Sequence, residues 1–309
     1  MISRLSALLI LLVGCSEGLD PPSLVNKLRV LAVRAQIPNP VPNTQTFADA
    51  IPGDMVTLDA LVAGTDSDVD GGVTSDQIDY LWFACVPPPG STSVRDCAGS
   101  AAPMAGFLPT CRGLSSDSVC LIGAAPTVTY PVPPDPLAMQ GSIYISAVVA
   151  TKPSGGALQC LQRLAQQQPP GDSCVVALKT LTVQPVLAAR NSNPAVSTFN
   201  ASGNDIHSTP MLKLGSPIQV TPLPLPSVSS EEKPDGKGEV MTYSWFATQK
   251  DFDHFHSGFV PPPLTPGENS DNTYTNQSTT PGRVHFWLVL RDDRGGVDWT
   301  DGFADFVMP

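Results

Sequence analysis

The chain has 309 residues and a formal charge of −11, with 28 acidic against 17 basic side chains. That balance opposes binding to phosphate backbones and to anionic lipid headgroups, so no nucleic-acid partner is expected. Charged residues make up only 15% of the chain and prolines number 33, a composition of many short strands and turns, while an apolar share of 41% is ample for folded cores.

At the amino terminus Arg4 precedes an apolar run from Leu5 to Val13, followed by Gly14 and Cys15. The run is too short to span a bilayer, which takes about 20 residues, and has the grammar of a secretory signal. Leu12-Val13-Gly14-Cys15 resembles the bacterial lipobox. The resemblance implies cleavage before Cys15, a diacylglycerol thioether on its sulfur and usually a further acyl chain on its amine. Two or more chains give stable anchoring. Ser16, not aspartate, follows the cysteine, which in that family favours the outer membrane. Residues 1–14 are therefore read as a signal peptide, and residues 15–23, with Gly18, Pro21 and Pro22, as a lipidated tether.

The lipobox also sets the cysteine arithmetic. Of seven cysteines, assigning Cys15 to lipid leaves Cys85, Cys97, Cys111, Cys120, Cys160 and Cys174, an even set suited to an oxidising compartment. Six cysteines allow 15 connectivities, and pairing of sequence neighbours is the expectation among them: Cys85 with Cys97, Cys111 with Cys120, Cys160 with Cys174. No C-x-x-C pair and no histidine among them supports zinc.

Alternation of apolar and polar residues predicts strands over 27–35 and 55–62, the aromatic-rich run predicts one over 78–85, and 127–132, 142–150 and 174–184 complete the strand set. Residues 86–126, rich in Ser, Gly and Pro, read as a disulfide-stapled insertion with little regular structure. The loop between Cys160 and Cys174 is expected to project. A second unit begins near Asn193-Pro194. Its Tyr243-Ser-Trp245-Phe246-Ala247 echoes Tyr80-Leu-Trp82-Phe83-Ala84, and Arg283 to Leu290 takes the place of Ser142 to Ala150. Asp292-Asp293-Arg294-Gly295-Gly296 predicts a tight hairpin into Val297–Val307. Without cysteines, this unit depends on its core, with Trp245, Phe286 or Trp287, and Phe303 or Phe306 as anchors. Pro222, Pro224 and Pro226, then residues 229–238, read as an exposed loop.

Y-x-W-F-A followed by V-L-R-D-D-R-G-G resembles the immunoglobulin-like and PKD-like repeats of bacterial surface lipoproteins. The resemblance implies an all-β protein of two tandem immunoglobulin-like β-sandwich domains, residues 24–187 and 188–309. The PKD-type F-G-D-G turn is absent after both tryptophan strands.

Three constellations could carry chemistry. Asp66, Asp68 and Asp70, with Gly71 for the turn, resemble the first half of a calcium loop, but its twelfth position is Gln77 and not glutamate; an acidic, solvated hairpin is the plainer reading. Calcium is the one cofactor this suggests. His254 and His256 share one face of an extended segment, a spacing metals can use, against an edge strand whose histidines face water. The Asp292–Gly296 turn offers a ligand contact or only turn geometry. His207 and His285 read as structural or exposed. The chain carries no H-E-x-x-H or phosphate-binding glycine motif, so an enzyme is not expected.

The expectation is a lipid-anchored protein of the bacterial outer membrane or cell surface, with a structural or protein-binding role and an envelope or surface protein as partner. Recognition is assigned to the 86–126 insertion and the Cys160–Cys174 loop. A glycan- or calcium-dependent binding module is the alternative, and an enzyme with a metal at His254 and His256 is third.

Overall fold

A computed structural model of the protein describes residues 21–42, 45–64, 75–86, 97–101, 110–111, 119–134, 141–169, 171–185, 189–224, 231, 233, 235–249, 252–259 and 270–309. Cys15, Asp66, Asp68 and Asp70 lie outside the described residues, as does most of the 86–126 segment.

The first half contains β1 (Arg29–Gln36), β2 (Met55–Ala63), β3 (Ile78–Cys85), β4 (Val119–Gly123), β5 (Thr127–Pro131), β6 (Gly141–Thr151) and β7 (Cys174–Val183), with helices α1 (Cys97–Ala101) and α2 (Gly156–Ala165). A three-stranded sheet ordered β1-β2-β5 faces a four-stranded sheet ordered β4-β3-β6-β7. Alternation places Val56 and Leu58 of β2, Tyr130 of β5, Tyr80 and Trp82 of β3, and Ile143 and Ile145 of β6 in the core between them.

The second half contains β8 (Val196–Ala201), β9 (Asn204–Asp205), β10 (Met211–Lys213), β11 (Pro217–Pro224), β12 (Met241–Ala247), β13 (His256–Phe259), β14 (Asn272–Thr275), β15 (Gly282–Arg291) and β16 (Val297–Val307). Its sheets are ordered β14-β11-β8-β9 and β10-β16-β15-β12-β13. In both halves the tryptophan strand lies beside the strand that hairpins back along the sheet: β3 pairs with β6 and β6 with β7, while β12 pairs with β15 and β15 with β16. The protein is all-β, with immunoglobulin-like strand order in each half.

The second core resolves the paired alternatives in the sequence. Trp245, Phe286 and Phe306 enter it with Phe199 and Tyr274. Trp287 and Phe303 sit one residue out of phase and point to the opposite face, since side chains alternate along a strand. Edge-to-face contacts of Phe199 with Trp245 (5.7 Å between centroids) and Tyr274 with Phe286 (4.8 Å) fill this core with rings.

The halves pack face to face. Leu31, Ala32 and Ala63, from the outer face of β1-β2, meet Phe246, Trp287, Val289 and Val297 on the outer face of the five-stranded sheet. A register shift between Val30 and Ala32 makes this possible: it turns Leu31 and Ala32 to the same side, while Val33 and Ala35 remain in the first core. The four sheets therefore stack in one series with an apolar seam at the middle.

Several expectations change. The Cys160–Cys174 loop carries α2, whose Ala157, Cys160 and Leu161 pack with Phe83, Tyr144 and Val148 on the outside of the four-stranded sheet. The helix forms because that sheet face is itself apolar. Within 86–126, α1 joins the same cluster and β4 pairs with β3. Pro222 and Pro224 lie in β11, not in a loop. They fit because β14 pairs only with Pro217–Val220, so beyond Val220 the prolines need satisfy β8 alone. Ser23, at the end of the stretch read as a tether, is fully buried, as is Val25.

Candidate functional site

The seam concentrates the polar chemistry of the described residues, and the turn between β15 and β16 is its hub. Asp292 Oδ1 accepts from the amides of Arg294 (2.8 Å) and Gly296 (2.7 Å), while Oδ2 accepts from Asn191 Nδ2 (3.1 Å). Gly295 has φ +101°, in the left-handed region that glycine favours. At Gly296 a Cβ would fall 2.1 Å from Asp292 Oδ2 and 2.7 Å from Pro194 Cδ, so only glycine fits the lock. The first half reaches the same turn through Lys179, whose amine donates to Gly295 O.

Arg294 of this turn gathers carboxylates from separate segments: Glu239 at 3.0 Å, Glu231 at 3.5 Å and Asp49 at 3.9 Å. Glu239 and Asp49 are buried. Burial, with the neighbouring Asp292 and Glu231 charges, pushes the Glu239 carboxyl up to about 7 against the pull of Arg294. Burial also raises Asp49, opposed by its hydrogen bonds from Gln184 and Asn191. Further ties cross the seam: Arg34 binds Asp59 (2.9 Å) in its own half and Asp298 (2.5 Å) in the other, with its guanidinium 4.0 Å over Trp299. Asn193 donates to Ala35 O (2.8 Å) and accepts from Val297 N (3.0 Å).

Two clefts open along this seam and meet at Arg291. One, of about 400 Å³, runs between β1 and β7 and ends at the β15–β16 turn. The other, of about 440 Å³, is lined by Arg29, Thr242, Ser244, Phe255, His256 and Arg291. Its edge is completed by the segment before β1: Val25 N donates to Ala247 O (2.8 Å), and Ala247 N donates to Ser23 O (3.0 Å). Residues 23–25 thus line the edge of β12 at Ala247, beyond the start of β13 opposite Ser244.

His256 stands exposed at the start of edge strand β13, and His254 is exposed just before it. The two histidines gather no third ligand: no group of three metal-ligating side chains occurs among the described residues. His256 Nδ1 instead lies 3.0 Å from Ser244 Oγ, its partner across β12–β13, a pair that a separation of twelve residues conceals in the sequence. Ser244 is not a nucleophile in a usable setting. It is buried, its hydroxyl accepts from Arg291 (2.9 Å), and no carboxylate orients His256 among the described residues. His285 is buried on the outer face of β15, bonded to Asp301 (2.7 Å) and stacked against Phe303, and His207 contacts Thr300 (3.2 Å).

All six cysteines of the first half are paired, Cys85–Cys97, Cys111–Cys120 and Cys160–Cys174. No helix of the described residues is long and apolar enough to cross a membrane.

No protein-family model matches the sequence, and no curated protein matches it. Among solved structures, the fibronectin(III)-like modules of Clostridium thermocellum CbhA align over 89% of this chain and 93% of theirs, at 9% identity and TM-score 0.22. Bacteroides ovatus SGBP-B, solved with a mixed-linkage heptasaccharide, aligns over 91% of this chain and 48% of its own at 10% identity and TM-score 0.21. For the Yersinia pseudotuberculosis adhesin InvE the values are 91%, 60%, 11% and 0.23. Likenesses this faint carry no argument about function, and the assignment of an immunoglobulin-like all-β fold rests on the strand order and cores of the chain itself.

Proposed function

We infer that the protein is a non-catalytic, lipid-anchored component of the bacterial cell envelope that presents a rigid structural or protein-binding surface. The observation that carries this reading is the cysteine inventory: six cysteines form three disulfides and Cys15, in Leu12-Val13-Gly14-Cys15, alone is left over. Disulfides belong to an oxidising compartment, and a single cysteine at the end of a secretory signal is accounted for by lipidation. The locked seam supports a scaffold, because a hinge between the halves would have to break the Arg294, Arg34 and Asn193 contacts together.

In cells, Cys15→Ser is expected to leave an uncleaved or soluble precursor, whereas the parent fractionates with the membrane. A variant that matures normally and stays with the membrane sinks the anchor. A pull-down from the native envelope is expected to return a protein partner; a positive glycan array or metal analysis with no protein partner favours the glycan- or calcium-binding alternative.

A further inference from the structure

We propose that the cleft lined by Arg29, Arg291 and His256 binds the anionic headgroup of a glycerophospholipid in the bilayer that carries the anchor. The proposal rests on the lipid-anchor reading for its proximity to the membrane, and on the cleft for its chemistry.

Proximity follows from chain length. Residues 23–25 are fixed on the edge of β12, and Arg29 Nη1 holds Pro22 O (2.7 Å) and Leu24 O (2.8 Å). Only residues 16–20 separate Cys15 from Pro21. Fully extended, that stretch spans about 20 Å. The chain leaves the seam beside the cleft, so the anchor holds this edge, and no more distant face, near the lipid surface.

The charge pattern identifies the ligand. Arg34, Arg190, Arg283 and Arg294 each pair with a carboxylate. Arg29 and Arg291 pair with none among the described residues, although the protein is acidic. Arg29 is bonded only to backbone carbonyls and lies over the Phe246 ring; Arg291 bonds Ser244 Oγ and Leu31 O. Each planar guanidinium carries five donors, so both retain capacity for phosphate oxygens. Asp292 also borders the cleft, but its carboxylate oxygens are occupied by the Arg294 and Gly296 amides and Asn191. The exposed His256 ring and half-buried Thr242 offer further polar contacts. Because the whole molecule is negative, diffuse attraction to an anionic bilayer is opposed, and binding requires a local cationic site of this kind.

Vesicle flotation of the full mature chain carrying Cys15→Ser, which has no lipid of its own, tests the site. Co-flotation is expected with vesicles containing phosphatidylglycerol and not with phosphatidylcholine alone. Arg29→Gln and Arg291→Gln should each weaken it about tenfold, the loss of one charge-assisted hydrogen bond, with thermal midpoints near that of the parent. Arg29→Lys should bind better than Arg29→Gln. If Arg291→Gln fails to fold through loss of its bond to Leu31, Thr242→Asp places a repelling carboxylate in the same cleft and should abolish flotation. Equal flotation with both vesicle types, or flotation indifferent to Arg29→Gln and Thr242→Asp, overturns the proposal. Glycerol phosphate or inorganic phosphate binding as tightly as the vesicles overturns the assignment to lipid. Failure of the anchor reading is seen separately in cell fractionation, because this variant carries no anchor.

Discussion

The two halves share a strand order but are held together differently. In the first, the connection between β6 and β7 is a helix clipped by Cys160–Cys174, and a second apolar layer with Cys85–Cys97 covers the outside of its four-stranded sheet. In the second, the equivalent connection between β15 and β16 is the Asp292–Gly296 turn, and a core packed with Phe199, Trp245, Tyr274, Phe286 and Phe306 does without covalent bonds. One fold is thus stabilised by constraining the unfolded chain in one half and by burying aromatic surface in the other. The outer face of the second half's five-stranded sheet then serves as the seam, so that half lends its surface to the first instead of covering it with its own insertion.

Reduction gives the largest separation between the halves. The three cystine loops, closing sequence separations of 12, 9 and 14 residues, should each contribute about 3 kcal/mol. Under reductant, hydrogen exchange should quicken in β3, β6 and β7 well before β12 and β15; equal loss in both halves would break the comparison. Trp245→Ala is the converse and should cost about 3–5 kcal/mol, read from the denaturant midpoint, with β12, β15 and β16 losing protection first.

The lock between them comes next. Asp292→Ala leaves the Arg294 and Gly296 amides and Asn191 Nδ2 without their acceptor and should cost about 1–3 kcal/mol. Its signature is faster exchange at the seam with both cores intact. A proton linkage sharpens this further. The Glu239 carboxyl is raised to about 7 in the folded protein, so the folded state binds the proton more tightly than the unfolded chain. The stabilisation this provides is complete below the unfolded value near 4.5 and is lost as pH rises through about 7. The difference in thermal midpoint between Glu239→Gln and the parent should therefore move in favour of the glutamine variant from pH 5 to 8. A constant difference would remove Glu239 from the lock. The smallest effect is expected at the exposed Arg283–Asp305 pair (2.8 Å), where Arg283→Ala should change stability by less than about 1 kcal/mol.

The strands that alternate strictly were legible in the sequence, because a half-buried strand leaves a period of two in its side chains. β1 and β2 lie where that period puts them, β3 lies where its aromatic run does, and the Y-x-W-F-A repeat marks equivalent strands in the two sandwiches. β8, β11 and β14 left no such mark. β11 carries Pro217, Pro222 and Pro224, which punctuate a chain unless its neighbours are known, and β14 is four residues long. The continuous apolar run of β15, buried along both faces, was a signal that its sheet is covered on two sides, but nothing local names the cover.

By itself the sequence determined the all-β class, the repeated tryptophan strand and an even set of six cysteines beyond Cys15, since each is written in period, repetition or parity; which cysteines pair is decided by the tertiary structure. The tertiary structure alone decided that the sandwiches stack through Leu31, Phe246 and Trp287, that Arg294 collects three carboxylates from two distant segments, and that the stretch meant as a tether is fixed on β12 beside a cationic cleft. These contacts join residues up to about 260 positions apart, and no local pattern of polarity can encode which distant surface a face will meet.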